Sequence, residues 1–159
     1  MGSVWVVDSN CFIHLGQKAE DGFIEDFMAV LRGRRLLITP GVKQEVATVA
    51  LRRCEGRPNL LKALDAMLHA VPVDEADVRA LAQRIGEAAA PQDVDLSLMV
   101  LADSLGAESD DVVLVSDDFK MTTTAERTDL RFETCPPSTF LQRLVAESPD
   151  ANRDARFRS

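Results

Sequence analysis

Four acidic positions carry the chemistry this chain offers. Asp8 closes the apolar run Val4 to Val7, and Glu45 ends Pro40-Gly41-Val42-Lys43-Gln44. Asp95 opens the apolar stretch Leu96 to Leu105, and Asp117-Asp118 follows Val112 to Val115 and Ser116. Carboxylates gathered at one place repel one another and resist ionisation. A hard divalent cation removes that conflict, and Mg²⁺ or Mn²⁺ needs only a few carboxylate oxygens because each keeps several waters. Such a site activates a water for attack on a phosphoryl centre and needs no side-chain nucleophile. Asp8 and Asp118 are read as the central ligands, completed by Glu45 and Asp95. Asn10 and Ser116 can hydrogen-bond the ligands or the water, and Asp117 can share the role of Asp118.

Each acid also has a plain structural role open to it. Asp8 and Asp95 can cap helices, and Glu45 can be a solvated residue favoured by a helix dipole. The joint placement argues for function. In an open parallel sheet the carboxyl ends of the strands share one edge, so acids just past those ends can converge on one crevice.

The elements needed to position them can be read from the same sequence. Val4 to Val7, Leu36 to Thr39 and Val112 to Val115 are short apolar runs expected to form buried strands, with Ala70 to Val73 and Leu130 to Thr134 as weaker candidates. Phe23, Ile24, Phe27, Val30 and Leu31 recur at helical spacing before Gly33. Pro40 suits the first position of a helix carrying Val42 and Val46. After the turn Gly56-Arg57-Pro58-Asn59, helices are expected over Leu60 to His69, Asp74 to Ala90 and Leu96 to Leu105, the last capped by Asp93 or Asp95 and closed by Gly106. Pro136-Pro137-Ser138 introduces a final helix reaching about Glu147. Strands alternating with helices predict an α/β fold, a three-layer α/β/α sandwich with a mainly parallel central sheet. Residues 1–147 are expected to form one domain and 148–159 a disordered tail.

The chain has 159 residues, 46% of them apolar, enough for one sizeable core. No apolar run approaches the roughly 20 residues that span a bilayer, so a cytoplasmic protein without a membrane partner is expected. Cys11, Cys54 and Cys135 lack the spacing of a zinc site or a disulfide framework, and are read as reduced thiols. A net charge of -8 argues against coating nucleic acid by bulk electrostatics. Between Val30 and Lys62, however, Arg32, Arg34, Arg35, Lys43, Arg52, Arg53, Arg57 and Lys62 face only Glu45 and Glu55. Any one of these is a solvated charge by default. Together they form a basic flank suited to holding phosphates beside an acidic site, with Arg32, Arg34, Arg35 and Lys43 as candidate substrate contacts. Trp5 and most phenylalanines fall on core positions, Phe119 being placed beside the acids. His14 and His69, in a first helix and at a helix end, are not catalytic candidates.

The set of motifs resembles the PIN-domain nuclease family. Asp8-Ser9-Asn10 after its strand is similar to that family's D-[ST]-N/S, and Pro40 to Glu45 to its P-x-V-x-x-E. Asp95 to Ala102 is similar to its D-x-x-x-x-x-x-A helix, and Ser116-Asp117-Asp118 to its [TS]-x-D ending. The resemblance covers roughly residues 4–145, and it lies in the order and spacing of motifs that are individually weak. It implies a Mg²⁺- or Mn²⁺-dependent ribonuclease with Asp8, Glu45, Asp95 and Asp118 at the metal. It further implies a stand-alone enzyme like the toxins of toxin-antitoxin pairs, a homodimer blocked by a cognate antitoxin. The longer middle section, Arg52 to Ala90, departs from the most compact toxins and leaves a housekeeping RNA-processing role open. A dehalogenase-type phosphatase would need an acid where Asn10 stands, and a phospho-receiver would need paired acids and a strand-end lysine. A PIN-like fold serving only as a binding scaffold is the remaining alternative.

Overall fold

The computed structural model describes residues 4–11, 36–53, 68–86, 93–109, 111–128 and 130–146. Five strands form one sheet: β1 (Val4–Val7), β2 (Leu36–Ile38), β3 (Leu68–Ala70), β4 (Val112–Val115) and β5 (Glu133–Cys135). Their order is β3-β2-β1-β4-β5 and every pairing is parallel. Helices α1 (Pro40–Arg53), α2 (Glu75–Ile85), α3 (Asp93–Gly106), α4 (Phe119–Arg127) and α5 (Pro137–Ala146) complete a three-layer α/β sandwich.

The central strands are apolar because neither face meets water. Trp5, Val6 and Val7 of β1 and all of β4 are buried, the pattern of a parallel sheet covered on both sides. Helix α3 packs on β1 and β4 through Leu96, Leu98, Met99, Leu101 and Ala102, all buried. Trp5 meets Phe140 of α5 edge to face with ring centroids 4.9 Å apart, and the Arg143 guanidinium lies 5.4 Å from the indole centroid.

Several elements differ from the sequence reading, each for a local reason. The third strand spans Leu68–Ala70 rather than Ala70 to Val73. The ladder goes on only to the Val71 N–H, which donates to the Ile38 carbonyl at 2.8 Å, because the next bond, onto the Val71 carbonyl, would have to come from Pro40, which has no N–H. His69 therefore lies within a strand and is exposed, not at a helix end. Helix α2 stops at Ile85 instead of reaching Ala90. Gly86 takes φ 97°, a left-handed conformation suited to glycine, and its N–H closes the helix on the Ala82 carbonyl. The last strand is Glu133–Cys135 rather than Leu130 to Thr134. Arg131 is held before it by the Asp103 carboxylate, which accepts its backbone N–H at 2.9 Å. Helix α4 had no counterpart in the sequence reading, since Thr122, Thr123 and Thr124 are weak helix formers. The expected helix over residues 21–33, the turn at 56–59, residues 60–67 of the helix expected over Leu60 to His69, and the tail 148–159 lie outside the described residues, while the last two positions of that expected helix, Leu68 and His69, belong to β3.

Candidate functional site

Strand order places the acids. From β1 the chain goes to β2 and β3 on one side, then returns to β4 and β5 on the other, so the topological switch point falls between β1 and β4. Ligands of open α/β sheets bind outside the carboxyl ends of the strands at that point. Asp8 leaves β1 there and Ser116, Asp117 and Asp118 leave β4. The pairings Val6↔Leu37, Val7↔Val115, Ile38↔Ala70 and Val115↔Cys135 continue past the strand ends. They set Val71, Thr39, Asp8, Ser116 and Pro136 in a row along the carboxyl edge, each about 4.8 Å from the next. The Asp8 N–H donating to the Val115 carbonyl at 3.0 Å and the Ser116 N–H to that of Cys135 at 2.9 Å hold the row.

Asp8 is 2% exposed. Ser116 Oγ donates to its Oδ2 at 3.0 Å. Ser9 Oγ lies 3.3 Å from Asp8 Oδ1 and 2.7 Å from Glu45 Oε2. A hydroxyl has one proton, so Ser9 bonds chiefly to Glu45 and leaves Oδ1 of Asp8 with accepting capacity. Burial pushes the Asp8 carboxyl above its ordinary value. The Ser116 hydroxyl, the Ser9 N–H and, least, the Ser9 hydroxyl pull it back, and the negative charge of Asp118 raises it again. Among the described residues no cation contributes to that shift. Burying an ion costs on the order of several kcal/mol, comparable with what one or two buried leucines return. Asp8 is thus a buried carboxyl that no cation among the described residues neutralises.

Asp118 is tied to the same hydroxyl. Its backbone N–H donates to Ser116 Oγ at 3.0 Å, so Ser116 links the two acids through one atom. Asp118 also starts α4, Oδ1 accepting the Met121 N–H at 3.3 Å while its carbonyl accepts that of Thr122 at 3.0 Å. Asp117 is exposed. It is Asp118, not Asp117, whose charge acts on Asp8.

Glu45 lies in the second turn of α1, half-buried, beyond the first-turn position expected of a dipole-stabilised solvated acid. Asp95 is the third residue of α3, which starts at Asp93, so it lies inside the first turn rather than capping the helix. That turn is anchored at the carboxyl edge, where Thr39 Oγ1 and Ser97 Oγ are 2.9 Å apart. Asp95 is half-buried there and engaged in an interaction of its own. All four acids therefore stand at one edge of the sheet. Asp8, Glu45 and Asp118 are joined through two serine hydroxyls, while Asp95 reaches the same edge through the packing of α3. Among the described residues, no three His, Cys, Asp or Glu side chains are grouped closely enough to hold a metal ion directly. The carboxylates are spaced by hydroxyls, an arrangement that limits their mutual repulsion.

Asn10 is exposed in the helical turn at residues 9–11, and Lys43 is exposed on α1. Arg32, Arg34 and Arg35 lie outside the described residues, as does His14. Ser9 is the residue that sequence reasoning missed. Its signal was its place between Asp8 and Asn10, but its bond to Glu45 spans 36 residues, which local periodicity cannot show. Cys11 and Cys135 are buried free thiols. Burial, with the charge of Asp8 next, pushes the Cys11 thiol upward, and burial raises Cys135 to about 11, so neither is a nucleophile.

No family model matches this chain, and no curated protein matches it either. Among the described residues no helix is long and apolar enough to cross a membrane.

Proposed function

We propose that this protein is a divalent-metal-dependent ribonuclease hydrolysing phosphodiester bonds at the carboxyl edge of its sheet. The observation that carries this reading is Asp8: a carboxylate 2% exposed, bonded by hydroxyls, raised above its ordinary value by burial and further by a neighbouring acid, and seated at the switch point of a parallel sheet. Such a group fits a bound cation better than it fits a capping role. Asp8 and Asp118 would hold Mg²⁺ or Mn²⁺, with Glu45 and Asp95 completing the acidic edge. When bound, the ion supplies a water of lowered pKa and positive charge at the phosphoryl oxygens. The protein's own groups provide the setting. Ser116 fixes the spacing of Asp8 and Asp118, and Ser9 orients Glu45. RNA as substrate is supported by the resemblance of the ordered motifs to PIN-domain nucleases and by the basic residues between Val30 and Lys62. The same resemblance supports a toxin of a toxin-antitoxin pair, acting in the cytoplasm as a homodimer.

The test is cleavage of single-stranded and structured RNAs with Mg²⁺, Mn²⁺ or EDTA, comparing the parent with Asp8→Asn. Cleavage should require the metal and fall by about a hundredfold or more in the variant, more than loss of an outer hydrogen bond to a metal ligand costs. A folded parent that neither cleaves nor binds metal by calorimetry would sink the nuclease and leave a binding scaffold.

A further inference from the structure

The row of residues along the carboxyl edge does not end at the acids. On the β2 side of Asp8 comes Thr39, one strand spacing away, and there a cavity of about 470 Å³ opens between the ends of β2 and β3 and the first turns of α1, α2 and α3. Its volume falls within the roughly 300–1,000 Å³ of small-molecule sites. Its walls are largely aliphatic, formed by Pro40, Pro72, Val73, Val78 and Val94, with Thr39 and Ser97 as hydroxyls. The charges at its rim, Glu75 and Arg79, pair with each other at 2.9 Å. That leaves little net charge to attract a phosphate. Helix α3 joins the cavity to the acids: Val94 and Ser97 line it, and Asp95 between them stands about 100° around the helix from Val94, on a different face.

The hydroxyl pair adds selectivity. Ser97 Oγ lies 2.6 Å from the Val94 carbonyl, which takes its only proton. The 2.9 Å contact with Thr39 must then be donated by Thr39. Both protons are spent, and what Ser97 still offers the cavity is a lone pair. A planar ligand with an amino group at its edge satisfies such a site, whereas one whose N–H lies between two carbonyls sets its own acceptors against the Ser97, Thr39 and Val94 oxygens.

We propose that this cavity holds one nucleobase of the RNA strand whose backbone lies at the acidic edge, and that it favours bases with an exocyclic amino group (adenine, cytosine or guanine) over uracil, whose one N–H lies between two carbonyls. The assignment rests on the reading of that edge as a ribonuclease site. It also names the feature that would give the enzyme its sequence preference. Another cavity, lined by Asp77, Asp103 and Glu108 against Arg84 and Arg131, has acids in excess and its arginines already engaged, so it does not compete for the strand.

The experiment is fluorescence anisotropy with labelled oligo(A), oligo(C) and oligo(U) in Ca²⁺, which takes oxygen ligands, with strand integrity checked on gels. The parent should bind oligo(A) and oligo(C) about fivefold tighter than oligo(U), the scale of one net hydrogen bond. Ser97→Ala should bring all three to the oligo(U) level. Val73→Phe, which fills the cavity, should weaken all three while melting at the parent temperature. Equal binding of the three by the parent, no binding of any, or a preference that survives Ser97→Ala overturns the assignment. Cleavage is scored separately. Metal-dependent cleavage without base preference defeats the cavity alone, and base preference without metal-dependent cleavage defeats the nuclease reading alone.

Discussion

Two aspartates at opposite ends of the sheet are treated in opposite ways. Asp8, at the carboxyl edge, is bonded by serine hydroxyls and acted on by a second acid, and its pKa is raised. Asp103 lies near the end of α3, about 12 Å along the helix from Asp95. Burial alone would raise it too, but the Arg131 guanidinium and backbone N–H hold it below its ordinary value. Arg131 Nε and Nη2 each donate to it at 3.1 Å, a bidentate pair. Close by, a Cβ on Gly106 would collide with the Arg131 carbonyl, so the segment before β5 is set tightly against the end of α3. Where the acid serves structure, the fold supplies an arginine and close packing. At the carboxyl edge it supplies hydroxyls, which orient a carboxylate, and among the described residues no cation that offsets its charge.

The sharpest way to break this contrast is to disturb one edge and read both activity and stability. Ser116→Ala removes the hydroxyl shared by Asp8 and Asp118. Metal-dependent cleavage should fall by about 10- to 100-fold, the usual cost of losing a group that orients a metal ligand, and the metal concentration needed for half activity should rise. An unchanged metal titration would mean that Ser116 does not position the acids.

At the amino edge the signs should reverse. Gly106→Ala forces a methyl against backbone that cannot rotate away, and overpacking of that kind costs about 1–3 kcal/mol. For a protein of this size the melting temperature should drop by several degrees, with the metal titration of the surviving activity unaltered. A variant that melts like the parent would show that Arg131 does not lie against α3.

How much of this was legible beforehand differs between the two edges. Asp8, Glu45, Asp95 and Asp118 were readable because each goes with a strong local pattern: a buried apolar run that stops, a proline that starts a helix, or, for Asp95, an apolar helical stretch that begins. β1, β2 and β4 were readable for the same reason. The short edge strands were not, since Leu68–Ala70 and Glu133–Cys135 are only partly buried and their limits are set by Pro40 opposite Val71 and by the Asp103 contact with Arg131. Helix α4 was hidden by three consecutive threonines, although Asp118 just before it was a usable capping signal. Ser9 with Glu45, Thr39 with Ser97, and Asp103 with Arg131 pair residues 28 to 58 positions apart. Only the folded sheet brings such partners together, so the acids could be named while the hydroxyls that tune them could not.

The finest comparison uses pH, with melting of the metal-free protein as the readout. Raised in the fold, the Asp8 carboxyl favours folding when protonated, so its ionised form weakens the protein above the folded value and that penalty vanishes below the ordinary value of 3.8. Asp8→Asn should therefore melt above the parent at pH 7, and the gap should close as pH falls to about 3.8. Lowered in the fold, Asp103 contributes stability that is complete above 3.8 and is lost as pH falls through its folded value. Asp103→Asn should melt below the parent at pH 7, and its gap should begin to close only below 3.8. Two substitutions of the same kind would thus shift stability in opposite directions at neutral pH and lose their effects on opposite sides of one pH. Gaps of the same sign would mean that Asp8 is held by a cation of the protein itself, as Asp103 is held by Arg131, and is not kept for a metal.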